Sequence, residues 1–233
     1  MRVQLDATPV VEAQTTPAHR YGLLGLPHDA PTSNARPGSR FAPGSLRKAF
    51  SSLLKVRIDG DRHVIADADR GEIDLTDVEI SDFGDVVLSY DESSSTVAQM
   101  KAAVTQVVET GAFPIVIGGD HAITFPSVAA VHDHVGGRLG IIHFDAHADL
   151  LDKNDRQGRF SGSSPIRRSL ELPGVSPSNV VQIGLRGYLT LQQYKDGEEF
   201  GVRRITAAEL QRRGVESAIT DAITWAKEGT DAV

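Results

Sequence analysis

The chain has 233 residues, 40% hydrophobic and 24% charged, which is the balance of an ordinary soluble globule able to bury a sizeable core. A net charge of -7 with no basic stripe gives no reason to expect nucleic acid, and the absence of cysteine excludes disulfides and thiolate metal ligands. No basic-then-apolar leader opens the chain and no run of about 18 apolar residues occurs, so a signal peptide and a membrane span are not expected and a cytoplasmic location is.

Residues 1–18 are polar and without sustained periodicity, and read as a flexible tail; 19–233, with no internal linker or repeat, read as one domain. Tyr21 to Leu26 is the first apolar run and predicts a buried strand. Pro27 to Pro43 is rich in Pro, Gly, Ser and Asn and predicts a long loop, with Pro43 suited to a turn or a helix start. Arg40 and Arg47 fit structural ion pairs better than substrate contacts. From Asp59 to Ile80, short apolar pairs alternate with acids, predicting one or two strands around Val64-Ile65 and Ile73. Asp67, Asp69, Glu72, Asp74, Asp77 and Glu79 match no calcium loop and read as a solvated rim.

Ser93 to Gly111 is the clearest helix, with Val97, Met100, Val104, Val107 and Val108 at helical spacing and a terminal glycine. A strand from Phe113 to Ile117 and a helix from Pro126 to Val135 follow; His132 and His134 on that helix read as exposed rather than as ligands. Then come a strand opening at Ile141, strands at Val180 to Leu185 and Val202 to Ile205, and helices at Ala207 to Arg213 and Val215 to Lys227. Thr230 to Val233 has the look of a strand beginning. Alternating strands and helices argue for a parallel sheet covered on both faces.

Two strand ends carry chemistry. Ile141-Ile142-His143-Phe144 runs into Asp145, His147 and Asp149, metal-type side chains at a spacing of two, which in extended backbone share one face. Two adjacent carboxylates are costly to bury unless a cation or donor compensates, and a divalent metal is the simplest compensation. Phe113 to Ile117 runs into Gly118-Gly119-Asp120-His121, where the glycines allow close approach to a ligand. Either cluster alone reads equally as a hydrogen-bonded turn or a cap; two of them, each at a strand's carboxyl end, favour metal. Asp120 suits either orientation of a ligand imidazole or capping of its own loop.

These two strand ends resemble the first two metal signatures of the ureohydrolases, the arginases, agmatinases, guanidinobutyrases and formimidoylglutamases. The likeness runs from about Tyr21 to the end, including Arg36 to Arg47 and Val181-Gln182-Ile183-Gly184-Leu185-Arg186-Gly187. It implies an arginase-like three-layer α/β/α fold around a mainly parallel sheet, two manganese ions, a small amidine or guanidine substrate, and a homo-oligomer, trimeric or hexameric. It also implies a ligand set: His121, Asp145 and Asp149 for one metal, Asp145 and His147 for the other, with Asp145 bridging. The family's third signature, two aspartates around a variable residue, falls on the next strand, and a substrate-contacting glutamate lies beyond it. The sequence as written stops before both, so on the resemblance it is expected to be an incomplete and inactive form of the site.

Phe160 to Arg168 resembles the loop in which arginases and agmatinases carry a proton-relaying histidine, and Gly162 stands in its place. Formimidoylglutamases often lack that histidine, and their approach to the first helix also resembles Phe41-Ala42-Pro43-Gly44. Hard carboxylate and imidazole donors without sulfur suit manganese or magnesium better than structural zinc. Paired metals could activate a water to attack an amidine carbon and expel ammonia or an amine. A formimidoylglutamase-like activity is therefore the first expectation, with an agmatinase or guanidinobutyrase, or a catalytically inactive relative with a regulatory or binding role, as alternatives. The Gly-Gly-Asp-His strand end sets aside a histone-deacetylase-like hydrolase.

Overall fold

The computed structural model describes residues 2–4, 19–29, 37–53, 57–89 and 93–233. In chain order its strands and helices are β1 (Arg2–Gln4), β2 (His19–Leu26), α1 (Ala42–Leu53), β3 (Arg57–Asp59), β4 (Arg62–Asp67), β5 (Gly71–Asp74), β6 (Val78–Asp85), α2 (Ser93–Glu109), β7 (Phe113–Gly118), α3 (Thr124–Val135), β8 (Ile141–Phe144), α4 (Pro165–Ser169), β9 (Val180–Leu185), α5 (Leu191–Glu199), β10 (Arg203–Thr206), α6 (Ala207–Arg213) and α7 (Val215–Lys227). The described residues fall into two compact units, one up to residue 120 and one over 121–233. No helix among the described residues is long and apolar enough to cross a membrane.

In the first unit, β1, β6, β2 and β7 form a parallel sheet in that order. β1 lies within the stretch expected to be a tail; the remainder of that stretch, and 30–36 of the long loop, are outside the described residues. α2 packs on the sheet through Met100, Val104, Val107 and Val108, all buried, because residues at i, i+4, i+7 and i+8 make one stripe. Arg40 and Arg47 are ion-pair partners, as expected. Arg40 Nε donates to Asp29, whose carboxylate also accepts the backbone N–H groups of Gly38 at 2.6 Å and Arg40 at 3.1 Å. Arg47 Nε donates to Asp82 at 2.7 Å, and its Nη1 to Asp85. The region 57–74 exceeds expectation: β3, β4 and β5 make a three-stranded antiparallel meander, closed by turns at Gly60 and between Asp67 and Gly71. Its acids are exposed, as a solvated rim should be, with Arg62 reaching Glu72 at 2.6 Å and Asp74 at 2.9 Å.

In the second unit, β10, β9 and β8 form a parallel sheet sandwiched between helices. Alternation along β9 decides which side each residue serves. Val181 and Ile183, with Ile205 of β10, pack against Ala218, Ala222 and Ala226 of α7. Val180 faces the other way, with Ile141 and Ile166, against Val128, Val131 and Val135 of α3 and Leu170 after α4. This is the expected three-layer α/β/α arrangement. α5 was not anticipated, although its capping box, Thr190 with Gln193, is written in the sequence. Ala232 makes one parallel bridge with Leu139, in keeping with a strand beginning there.

One expectation on α3 is corrected. His132 is buried, not exposed: the last turn of α3 lies against the turn at Pro173, and His132 Nε2 is 2.7 Å from the Pro173 carbonyl oxygen. His134 is exposed.

Candidate metal centre

The carboxyl end of β8 and the turn opening α3 bring four donors together in the second unit. His121 sits in a short 3-10 turn, His121–Ile123, before α3; His143 is the third residue of β8; Asp145 and Asp149 lie in the loop after it. One ligand atom from each lies within 4.8 Å of all the others. The mode of convergence differs from the sequence argument. β8 ends at Phe144, so residues 145–149 are a loop rather than an extended strand, and Asp149 turns back with a φ of 52°. That left-handed conformation is strained for a non-glycine residue, though aspartate tolerates it better than most.

His121 Nε2 stands 2.8 Å from Asp149 Oδ2 and 3.5 Å from Asp145 Oδ2. His143 Nε2 is 3.5 Å from Asp145 Oδ2 and 3.7 Å from Asp149 Oδ2. The two imidazoles stack, with centroids 5.3 Å apart and Nε2 atoms 3.2 Å apart. Asp149 Oδ2 is buried and accepts no hydrogen bond of acceptable geometry, despite His121 beside it. A buried carboxylate oxygen in that condition is expensive unless something positive meets it. With imidazole nitrogens converging on the same point and no sulfur, the donor set fits a divalent cation of the harder kind.

Electrostatics act on two members of the set, His143 and Asp145. Burial pulls the His143 pKa below its usual value, and the neighbouring His121 adds to that, against the opposing charges of Asp149 and Asp145. Burial alone would raise Asp145, but the His147 backbone N–H and the three surrounding imidazoles outweigh it, so its carboxyl is held below the usual range. Asp145 divides its oxygens: Oδ2 faces His121 and His143, while Oδ1 accepts the His147 backbone N–H at 2.8 Å and lies 3.3 Å from His147 Nδ1.

The site residues named from sequence are thus placed as follows. His121, Asp145 and Asp149 come together. His147 lies outside that group, largely exposed, against the far oxygen of Asp145. Asp120 belongs to the first unit, where its backbone N–H donates to the His28 carbonyl at 2.6 Å. The close approach expected of its neighbouring glycines is to protein: a Cβ on Gly119 would sit 1.8 Å from the His28 carbonyl oxygen. His143 was missed, although it shares parity with Asp145. Gly162 lies beside His121, where an added Cβ would be 3.7 Å from His121 Cβ, an ordinary contact.

Residues 19–233 match the arginase family. The chain belongs to that family. Among arginase-family relatives it is 29% identical to a formimidoylglutamase of Halalkalibacterium halodurans, covering 91% of this chain and 63% of that protein. It is 33% identical to a guanidinopropionase of Pseudomonas aeruginosa, over 90% of this chain and 63% of that one. An agmatinase of Bacillus subtilis is 35% identical over 70% of this chain and 51% of its own. The chain therefore spans less than two thirds of the length of these relatives. Among solved structures, a formiminoglutamase of Trypanosoma cruzi with Mn2+ matches with a TM-score of 0.77 at 22% identity, covering 92% of this chain and 69% of that one. A proclavaminate amidino hydrolase of Streptomyces clavuligerus matches at 0.72 and 26%, covering 95% and 66%.

Proposed function

We propose that this chain carries the metal-binding part of a manganese-dependent hydrolase that cleaves a C–N bond of a linear amidine, with His121, Asp145, His147 and Asp149 as ligands. The observation that carries the reading is the buried, unsatisfied Asp149 Oδ2 facing His121 Nε2, next to an Asp145 whose two oxygens point to two sides. His121 and Asp149 on the Oδ2 side of Asp145, and His147 on its Oδ1 side, would hold the metal with it. Metal held there would supply Lewis-acid activation of a water nucleophile. The chain's own part is to present carboxylate and imidazole donors from the end of a sheet, which keeps them pre-placed.

For the substrate, Gly162 favours a formimino compound over a guanidine. Gly162, beside His121, has no side chain to hold or move a proton, although a Cβ there would meet only ordinary contacts. General acid–base help is typically worth about 10²–10⁴ in rate, and its loss hurts most when a poor leaving group must be protonated. The formimidoylglutamase relative is in keeping with this, while the guanidinopropionase and agmatinase relatives support the guanidino alternative. Side-by-side assay of the manganese-loaded protein, carried through the family's third signature, on N-formimino-glutamate and agmatine tests it. A higher kcat/KM on the formimino compound is expected; a higher value on agmatine would overturn the argument from Gly162.

A further inference from the structure

The two stacked histidines differ in what meets their Nδ1 atoms. His121 Nδ1 is 3.1 Å from Thr124 Oγ1, a hydroxyl that can accept a hydrogen bond from a ring Nδ1–H and so leave Nε2 with its lone pair. His143 Nδ1 is 3.3 Å from Gln182 Nε2. Gln182 is wholly buried and is His143's direct neighbour across the β8–β9 pair, on the same sheet face. Its amide orientation is fixed from the other side, because its Nε2 donates to the Ala148 carbonyl at 2.6 Å. Turning the amide over would set two oxygens against each other there and strand both N–H donors. The NH₂ group therefore faces His143, and an amide nitrogen can only donate. His143 Nδ1 must accept.

We propose that His143 enters the cluster as a hydrogen-bond donor and not as a metal ligand: Gln182 fixes its ring as the Nε2–H tautomer, with that N–H aimed at Asp145 and His121. With Nδ1 accepting from Gln182, the ring carries its proton on Nε2. Acceptors stand ready for it, with His121 Nε2 at 3.2 Å and Asp145 Oδ2 at 3.5 Å. His143 is then a positioning residue that steadies the carboxylate, and His121 is the imidazole of this group that can offer a lone pair. The distances alone do not distinguish the two roles, since two nitrogens 3.2 Å apart could also flank one cation; the Gln182 contact does. The ligand half of the inference rests on the metal reading above, whereas the tautomer half does not.

Long-range proton–nitrogen NMR correlations on the metal-free, nitrogen-15-labelled chain at neutral pH read the tautomer directly. Nε2 should appear as the protonated nitrogen of His143. In Gln182→Met, which removes the donor at similar volume, the two ring signals should move toward each other. In the manganese-loaded chain, pulsed EPR reads directly bound imidazole nitrogen. That coupling should fall in His121→Ala and stay in His143→Ala, with affinity reduced more than about 100-fold in the first and about tenfold in the second, the scale of losing a hydrogen-bonded support. An Nδ1-protonated His143 in the native chain, or loss of imidazole coupling in His143→Ala, would overturn the proposal. If no manganese binds, the metal reading fails, and the tautomer still decides whether His143 is a donor. If His143→Ala does not fold, the native and Gln182→Met spectra carry the decision.

Discussion

The meander formed by β3, β4 and β5 is richer in carboxylates than the loop after β8, yet only the loop makes a candidate metal centre. On the meander, Asp67, Asp69, Glu72 and Asp74 are exposed, and the oxygens of Asp67, Glu72 and Asp74 are met by Arg62, by Thr76 or by backbone N–H groups. In the loop, Asp145 and Asp149 are pulled out of solvent beside two imidazoles, and one oxygen is left with nothing to accept. The lesson is that the number of acids says little, whereas burial without satisfaction says much. Asp29 completes the contrast. It is also buried, but two backbone N–H groups and Arg40 satisfy it, so it reads as structure.

The largest expected effect breaks the contrast outright. Asp149→Asn and His121→Ala should each weaken manganese binding more than about 100-fold, since even residues one contact removed from a metal cost 10–100-fold. Asp74→Asn on the meander should leave binding unchanged. Isothermal titration of the three variants checks this, and a comparable loss in Asp74→Asn would mean the acidic rim binds the metal.

Next in size is Asp29→Ala, expected to destabilise the fold by about 2–3 kcal/mol at neutral pH, the scale of hydrogen bonds to a charged group. Burial acts to raise the Asp29 pKa, but the Arg40 and Gly38 backbone N–H groups and the Arg40 guanidinium outweigh it and hold it below its ordinary 3.8. A depressed folded-state value means the stabilisation is complete above the unfolded value and is lost as pH falls through the folded one. Urea denaturation should therefore show the gap between native and variant closing only below about pH 4. A gap that closes between pH 7 and 5 would contradict the assignment.

The smallest effect is expected from Gly162→His. Its Cβ meets only ordinary contacts, so stability should change by no more than about 0.5 kcal/mol in thermal melts. Any change should appear in relative turnover, shifted toward guanidino substrates. A variant that unfolds would show the loop to be tighter than it looks.

Most of the scaffold was legible because its elements announce themselves locally. The α2 stripe and the apolar runs of β2, β7 and β9 need no tertiary knowledge. α5 leaves no apolar stripe, since Gly197 is its one buried residue, and only its capping box marks it. The meander was underread since short exposed strands bury too little to leave a pattern. Three of the four clustered donors were legible as metal-type residues after a strand. His143 was not, because it sits inside an apolar strand and acquires its meaning from Gln182, 39 positions away. The burial of His132 likewise depends on Pro173, a partner no helical periodicity reveals.

The central claim is that the His121, Asp145 and Asp149 group is a metal site, and manganese titration of the purified chain followed by EPR tests it most directly. The account predicts saturable binding that survives dialysis, with an imidazole nitrogen coupled to the bound ion. A chain that stays metal-free after manganese loading and dialysis would contradict it.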